Sequence, residues 1–171
     1  MPNRVSKDDL RLLFNDHAIY TKFVITDILQ DLPNTESDLG RLLANQHDIG
    51  NYVGKFIGKT KGKQLTVLLT DHIKLAGACL GALKADVDLK EPIAKLFGNA
   101  DQVGEFLHQL NPMVLKQREI TDMFRQHNQY VLDMAVAQKE GKYEDVVNLF
   151  DKYLSHMISF SDTLCVALSW I

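Results

Sequence analysis

The chain has 171 residues, of which 46% are apolar and 24% charged, and its formal net charge is −3. These values are typical of one globular domain, 1–171, that buries a core of its own. They give no reason to expect nucleic acid or a membrane as partner, and no apolar run approaches the roughly 18 residues of a membrane span. The N-terminal segment lacks the apolar centre of a signal peptide. We therefore expect a cytoplasmic protein in which Cys79 and Cys165 are small buried apolar residues.

Apolar periodicity predicts a first helix over 7–30 and a second over 37–57. Ser6 is the expected N-cap of the first helix, with Asp8 and Asp9 in its first turn, where the helix dipole favours acids. Pro33 disfavours helical geometry at the residue before it and ends the helix. Thr35 or Ser37 is expected to cap the second helix.

The segment 54–63, Gly-Lys-Phe-Ile-Gly-Lys-Thr-Lys-Gly-Lys, is the one charge-biased stretch. It resembles a phosphate-binding P-loop but is one residue short, because Val53 stands where the first glycine belongs. No predicted strand precedes it. We therefore interpret it as a solvated helix–helix turn rather than a nucleotide site.

Four further helices are predicted, over 64–83, 92–109, 111–141 and 143–169. Pro92 suits a first helical turn, and Asn111-Pro112 repeats the cap-and-proline signal. Gly141 is a good C-terminal cap. The sixth helix carries apolar residues on more than one face and is a candidate for the most buried helix. Its expected inward set is Val147, Phe150, Leu154, Met157, Leu164 and Leu168.

Three histidines, His17, His72 and His127, recur at intervals of 55 residues. Around each of them the residues at offsets −7, −4, −3, +3, +4 and +7 follow the stripe of an amphipathic helix with the histidine at its centre. The stripe is apolar apart from Thr21 and the tyrosines.

The helices that follow the first two histidine helices also share a pattern. The segment 42–45 is followed by Ile49-Gly50, and the segment 96–99 is followed by Val103-Gly104, at an interval of 54. Leu149-Phe150-Asp151 is a weaker third copy. The sequence thus predicts three helical hairpins of about 55 residues, 7–60, 61–111 and 112–171. We expect them to close into one all-α, up-down bundle of about six helices.

In such a bundle the three histidines lie at similar depth, because each is placed about equally far along its helix. Polar residues of the other helices fall near the same level. The candidates for further metal ligands, or for side chains that orient the imidazole rings, are Asn45, Asp48, Asn99, Asp101, Asp151 and His156.

Two hypotheses follow for this polar centre. In the first, His17, His72 and His127 bind a divalent transition metal such as zinc or iron, with Asp48, Asp101 or His156 as further ligands and Asn45, Asn99 and Asp151 around them. In the second, each imidazole is a hydrogen-bonded core residue and no cofactor is bound. The residue pattern favours the second hypothesis slightly, because a duplication copies a structural histidine as readily as a ligand.

Two known metal patterns do not fit. Ferritin-like di-iron sites need Glu-x-x-His, whereas Phe14, Leu69 and Phe124 stand three residues before the histidines. Haemerythrin-like sites pair each histidine with an acid four residues later, where this chain has Thr21, Ala76 and Val131. The sequence therefore predicts no established catalytic metal site. It leaves open whether the protein is an enzyme, which is the third hypothesis after a metal-binding bundle and a structural module.

Several phrases resemble a family of small, uncharacterised bacterial helical proteins with a histidine in each of three long helices. They are Leu68-Leu-Thr-Asp-His-Ile73, Arg41-Leu-Leu-Ala-Asn-Gln-His-Asp-Ile-Gly50, and the segment 99–107 followed by Asn111-Pro112. The resemblance covers nearly the whole chain and implies an all-α bundle with a shared polar centre. It implies no mechanism.

The sequence thus indicates a soluble bundle with a buried, His-lined polar centre, and binding of a divalent metal at that centre is the first hypothesis for its function. The alternative is a structural or assembly module that forms a homo-oligomer through its apolar C-terminal end, 164–171, which contains Trp170.

Overall fold

A computed structural model of the protein describes residues 4–170. Over that range it is an all-α bundle of six helices. They are α1 (Lys7–Gln30), α2 (Thr35–Ile57), α3 (Lys59–Lys84), α4 (Lys90–Leu110), α5 (Gln117–Lys139) and α6 (Tyr143–Leu168). The predicted bounds of α1 are confirmed, and the Ser6 side chain accepts a hydrogen bond from Asp9 N at 3.1 Å, as expected of an N-cap.

The six helices pack into one closed bundle, in which three helices form a central triangle and the other three lie outside it. The histidine-bearing helices α1, α3 and α5 contact one another in pairs. Of the others, α2 lies against α1 and α3, α4 against α3 and α5, and α6 against α5 and α1. The expectation that α6 is the most buried helix is therefore wrong. Val147, one of its predicted inward residues, is 57% exposed, and the neighbouring Val146 is buried instead.

The turn between α2 and α3 is tighter than the sequence suggested. Most of the segment 54–63 is helical, and Gly58 alone separates the two helices, with φ of +93°. Gly54 and Gly62 allow this, because a Cβ added at Gly62 would lie only 2.7 Å from Gly54 Cα. The backbones thus cross in near contact directly after the turn, and side chains at either position would separate them.

The segment from Asn111 to Lys116 corrects a second prediction, since α5 begins at Gln117 and not at Asn111-Pro112. Asn111 forms a turn: its Oδ1 accepts from Val114 N at 3.3 Å, and its Nδ2 donates to Ala167 O at 3.0 Å. A capping residue followed by proline therefore stabilises a turn here and ties it to the end of α6.

A layer of large apolar side chains lies one helical turn from the histidines. Every helix contributes to this layer, which surrounds the centre of the main hydrophobic core. Its members are Phe14, Ile49, Leu69, Val103, Phe124 and Phe160. The Phe160 ring lies 5.2 Å from that of Phe14 and 6.0 Å from that of Phe124, as centroid distances. Burial of these rings fixes the depth at which the histidines sit.

By length and composition, α3 could cross a membrane, with a mean hydropathy of 1.3 over an 18-residue window. The absence of a long unbroken apolar run in the sequence does not reveal this property, because the mean hydropathy of a window can be high although charged residues interrupt it. Of that window 39% is buried inside the bundle, and the core helix of a globular protein meets the same criterion.

Candidate functional site

The three central helices bring His17, His72 and His127 together in the interior. Their exposed fractions are only 4%, 2% and 3%. The ring centroid of His127 lies 5.4 Å from that of His17 and 5.1 Å from that of His72. The 55-residue spacing and the packing of α1, α3 and α5 thus produce one cluster of imidazoles.

His72 and His127 face each other through the same ring atom. The two Nε2 atoms are 3.1 Å apart, so a single proton can lie between them in a hydrogen bond. On its other side, His127 Nδ1 lies 3.1 Å from Met157 Sδ. Among residues 4–170, His72 Nδ1 has no hydrogen-bond partner. Each ring therefore commits Nε2 to its neighbour and leaves Nδ1 with a weak partner or none.

His17 is held differently, by the Gln46 side chain of α2. Gln46 Nε2 lies 2.7 Å from Leu42 O and 3.2 Å from His17 Nδ1. Because the contact with a carbonyl assigns the amide nitrogen as the donor, His17 Nδ1 accepts and the ring proton belongs on Nε2. His17 thus has an N–H group for a further partner.

Burial makes all three imidazoles hard to protonate. It lowers the pKa of His17 to about 4, although hydrogen bonds with the Asn45 and Gln46 side chains raise this pKa in part. It lowers the pKa of His72 to about 3, with a further contribution from His17 and a smaller opposing one from the Asn99 amide. It also lowers the pKa of His127 well below the usual value. At neutral pH the cluster is uncharged, which is the state in which imidazole binds metal ions.

A polar side chain from each outer helix bonds to the backbone beside a histidine. Asn45 Nδ2 donates to Leu13 O at 2.9 Å, and Asn99 Nδ2 donates to Leu68 O at 3.1 Å. In α6 the same contact is made by His156, whose Nε2 lies 2.9 Å from Met123 O. Each carbonyl belongs to the residue four before a histidine. These side chains position the histidine helices.

The acidic candidates lie away from the cluster. Asp48 is exposed and lies 3.2 Å from Arg41 Nη1, and Asp101 makes two 2.7 Å contacts with Arg125. Asp151 is exposed in a shallow surface pocket beside His156. Within residues 4–170, no three His, Cys, Asp or Glu side chains are arranged as they stand to hold a metal ion. This statement includes His17, His72 and His127.

A cavity of about 360 Å³ extends from the cluster to the surface between α1, α2, α3 and α5. Its inner end is lined by the three histidines and its outer part by apolar residues and the exposed Lys74. The residues that enclose it come from both apolar clusters of the protein, Ile25, Leu80 and Val131 from the main core and Val24, Leu42 and Ile73 from a smaller one. The cavity is thus a gap in the core that connects the histidines with solvent.

Sequence reasoning missed three neighbours of the cluster, namely Gln46, Met157 and Tyr153. Tyr153 is fully buried, its ring centroid lies 5.2 Å from that of His127, and burial raises its pKa. The sequence does contain a signal for these residues, namely the spacing of residues in α6 compared with that in α2. Tyr153, His156, Met157 and Phe160 have the spacing of Leu42, Asn45, Gln46 and Ile49.

Comparisons of the chain with protein-family models, curated proteins and solved structures found no match.

Proposed function

We propose that this soluble helical bundle binds one divalent transition metal ion, zinc or iron, between His72 and His127. The observation that supports the proposal is the 3.1 Å separation of their Nε2 atoms. Two imidazole nitrogens on one tetrahedral zinc ion lie about 3.3 Å apart, given Zn–N distances of about 2.0–2.1 Å. A small outward movement of the two rings makes room for the ion.

The other ring nitrogens favour the same arrangement. A histidine that binds metal through Nε2 carries its proton on Nδ1 and donates it to a neighbour. For His127 that neighbour is Met157 Sδ. For His72 it is Asn99 Oδ1, which is buried without a hydrogen-bond partner among residues 4–170 and accepts from Nδ1 once the ring has moved. Without metal, one of the two rings must place its proton on Nε2, which leaves a bare Nδ1 facing sulfur or apolar surroundings. A metal ion removes this conflict.

His17 is the third ligand in this proposal. Its Nε2 becomes available when the proton moves to Nδ1, and this requires the Gln46 amide to leave Nδ1, because Gln46 Nε2 has to keep facing the carbonyl oxygen of Leu42. The cavity gives the ion a path from solvent and leaves room for a water molecule as fourth ligand. Asp48 and Asp101 keep their arginine partners and take no part.

The test is metal binding by untagged protein that has first been stripped with chelator. We expect one zinc or cobalt(II) ion per chain. The cobalt(II) protein should show visible absorption bands that indicate coordination of the ion by nitrogen ligands. His72→Gln and His127→Gln should lose the ion, whereas the exposed His47→Gln should retain it. Folded wild-type protein that binds no stoichiometric metal would overturn the proposal, as would equal binding by the His72→Gln variant.

A second candidate is a structural or assembly module in which the histidines are hydrogen-bonded core residues. It is favoured by the Gln46–His17 contact and by the fact that 3.1 Å is also an ordinary hydrogen-bond length. Here His72→Leu should leave the free energy of unfolding unchanged or raised, and Trp170, which is 79% exposed, should contribute to a homo-oligomer. A concentration-independent monomer in light scattering contradicts the assembly part.

We also infer that the three hairpins are copies of one internal repeat. Support comes from the equivalent contacts of Asn45, Asn99 and His156 with carbonyls four residues before each histidine. The close approaches of Gly50 to Thr66 and of Gly104 to Thr121 also recur at nearly the same interval. In α6 the equivalent position is the fully buried Ser161.

A further inference from the structure

The cavity beside the histidines is large for a void in a protein core. Protein interiors are packed as densely as organic crystals, and few voids exceed the size of a water molecule. This one measures about 360 Å³, and most of its surface is apolar. A mainly apolar cavity that opens to solvent takes up small apolar molecules, because their binding removes apolar surface from water.

The polar groups of the cavity lie at its inner end. His17 lines it, and its Nδ1 accepts from Gln46 Nε2 at 3.2 Å, which places the ring's N–H donor on Nε2. Thr21 lies one helical turn further along the same wall. In the described part of the chain no acidic side chain lines the cavity, and Lys74 is exposed at the outer end, 3.7 Å from Asp71.

We propose that this cavity binds a small, uncharged, mainly apolar molecule that carries one hydroxyl or carbonyl group, with that group accepting a hydrogen bond from His17 Nε2. An apolar cavity of about 150 Å³ accommodates benzene, so this one has room for about twelve non-hydrogen atoms. A charged group at the inner end would be buried without a counter-charge, because no Asp, Glu, Lys or Arg side chain among residues 4–170 lines that end of the cavity. The occupant is therefore neutral.

The site and the metal proposal are separable, because the cavity can be tested in protein stripped of metal. The probes are 2-naphthol, naphthalene and 2-naphthoate, which share a ring system of suitable size and differ in the polar group. Binding is followed in chelator by chemical shifts of cavity methyl groups and by isothermal titration. We expect 2-naphthol to bind at one saturable site, about three- to tenfold more tightly than naphthalene, the factor supplied by one net hydrogen bond.

Two glycines of α3 provide a matched pair of variants. Gly77 lines the cavity and Gly81 lies one turn further on, outside it, and a Cβ at either position meets no atom within 4 Å. Gly77→Leu should fill the cavity and abolish binding of 2-naphthol, whereas Gly81→Leu should bind as wild type does. Both variants should fold, since leucine favours the helix more than glycine does.

His17→Leu tests the hydrogen bond, because it keeps an apolar side chain of similar length and removes the donor. It should abolish the preference for 2-naphthol over naphthalene. The inference is overturned if 2-naphthol does not bind, if Gly77→Leu binds it as well as Gly81→Leu does, or if 2-naphthoate binds most tightly.

Discussion

Acid should destabilise this protein well above the pH at which carboxylates titrate. The perturbation is a change from pH 7 to pH 5 in metal-free protein. Burial holds the pKa of His17 at about 4 and that of His72 at about 3 in the folded state. In the unfolded chain both return to about 6.5. The unfolded state therefore binds more protons below pH 6.5, and stability falls as the pH falls from there towards the folded pKa values.

The size of the effect follows from the unfolded pKa alone, provided that the folded pKa lies below 5. Each such histidine then costs about 2 kcal/mol of unfolding free energy between pH 7 and pH 5. His17 and His72 together give about 4 kcal/mol, and His127, whose pKa is also lowered, adds to this. That is a large part of the roughly 5–15 kcal/mol by which a domain is stable.

The assay is urea denaturation at pH 7, 6 and 5, with titration of the histidine ring protons by NMR. We expect the unfolding midpoint to fall steeply over this range, and the fall to shrink by about 2 kcal/mol in His17→Leu. The exposed His47→Gln should behave as wild type. An unfolding free energy that stays constant between pH 7 and pH 5, or a His17 ring that titrates near 6.5 in the folded protein, would refute the reasoning.

Other substitutions test the packing and the surface. Gly50→Ala should lower the unfolding free energy by about 2 kcal/mol or more in urea denaturation, because its Cβ would lie 2.7 Å from a backbone oxygen of α3. Gly104→Ala, with a Cβ 2.9 Å from a backbone carbon of α5, should behave likewise. A Cβ added at the exposed Gly40 meets no atom within 4 Å, so Gly40→Ala should raise the unfolding free energy by about 0.5–1 kcal/mol. A lower unfolding free energy for Gly40→Ala would contradict the helix geometry at this position. Asp162→Asn, which breaks the bidentate 2.8 Å pair with Arg11, should cost less than about 1 kcal/mol, because both groups are partly exposed. A melting temperature lowered by more than a few degrees would show that this pair contributes more than a surface ion pair does.

Much of the fold follows from local patterns that the sequence displays. The bounds of α1 could be predicted because Ser6, the acidic first turn and Pro33 all act within a few residues of the helix ends. The turns between the helices were harder to predict from the sequence. Asn111-Pro112 carries a helix-start signal, yet the Asn111 side chain bonds to Ala167 O at the end of α6, a partner that only the tertiary structure provides.

The surroundings of the histidines show the same limit. Periodicity places His17, His72 and His127 on inward faces, since those positions are embedded in apolar stripes. Two acidic candidates, Asp48 and Asp101, follow Asn45 and Asn99 by three and two residues. They are turned from those asparagines by about 60° and 160° around the helix axis, and they pair with arginines at the surface.

The register of α6 was missed because equivalent positions carry different chemistry. His156 makes the backbone contact that asparagine makes in α2 and α4, so sequence similarity aligned Leu149-Phe150-Asp151 instead. The cavity could not be predicted at all. It depends on how four helices pack, and no short stretch of sequence encodes the gap between them.

The most direct test of the central claim follows the imidazole nitrogens themselves during a zinc titration. In protein labelled with ¹⁵N at histidine, long-range ¹H–¹⁵N spectra distinguish a protonated, a bare and a metal-bound ring nitrogen. The account predicts that one equivalent of zinc moves Nε2 of His72 and His127 to the metal-bound range and leaves Nδ1 of both protonated. Nε2 resonances that keep their metal-free positions through several equivalents of zinc would contradict it.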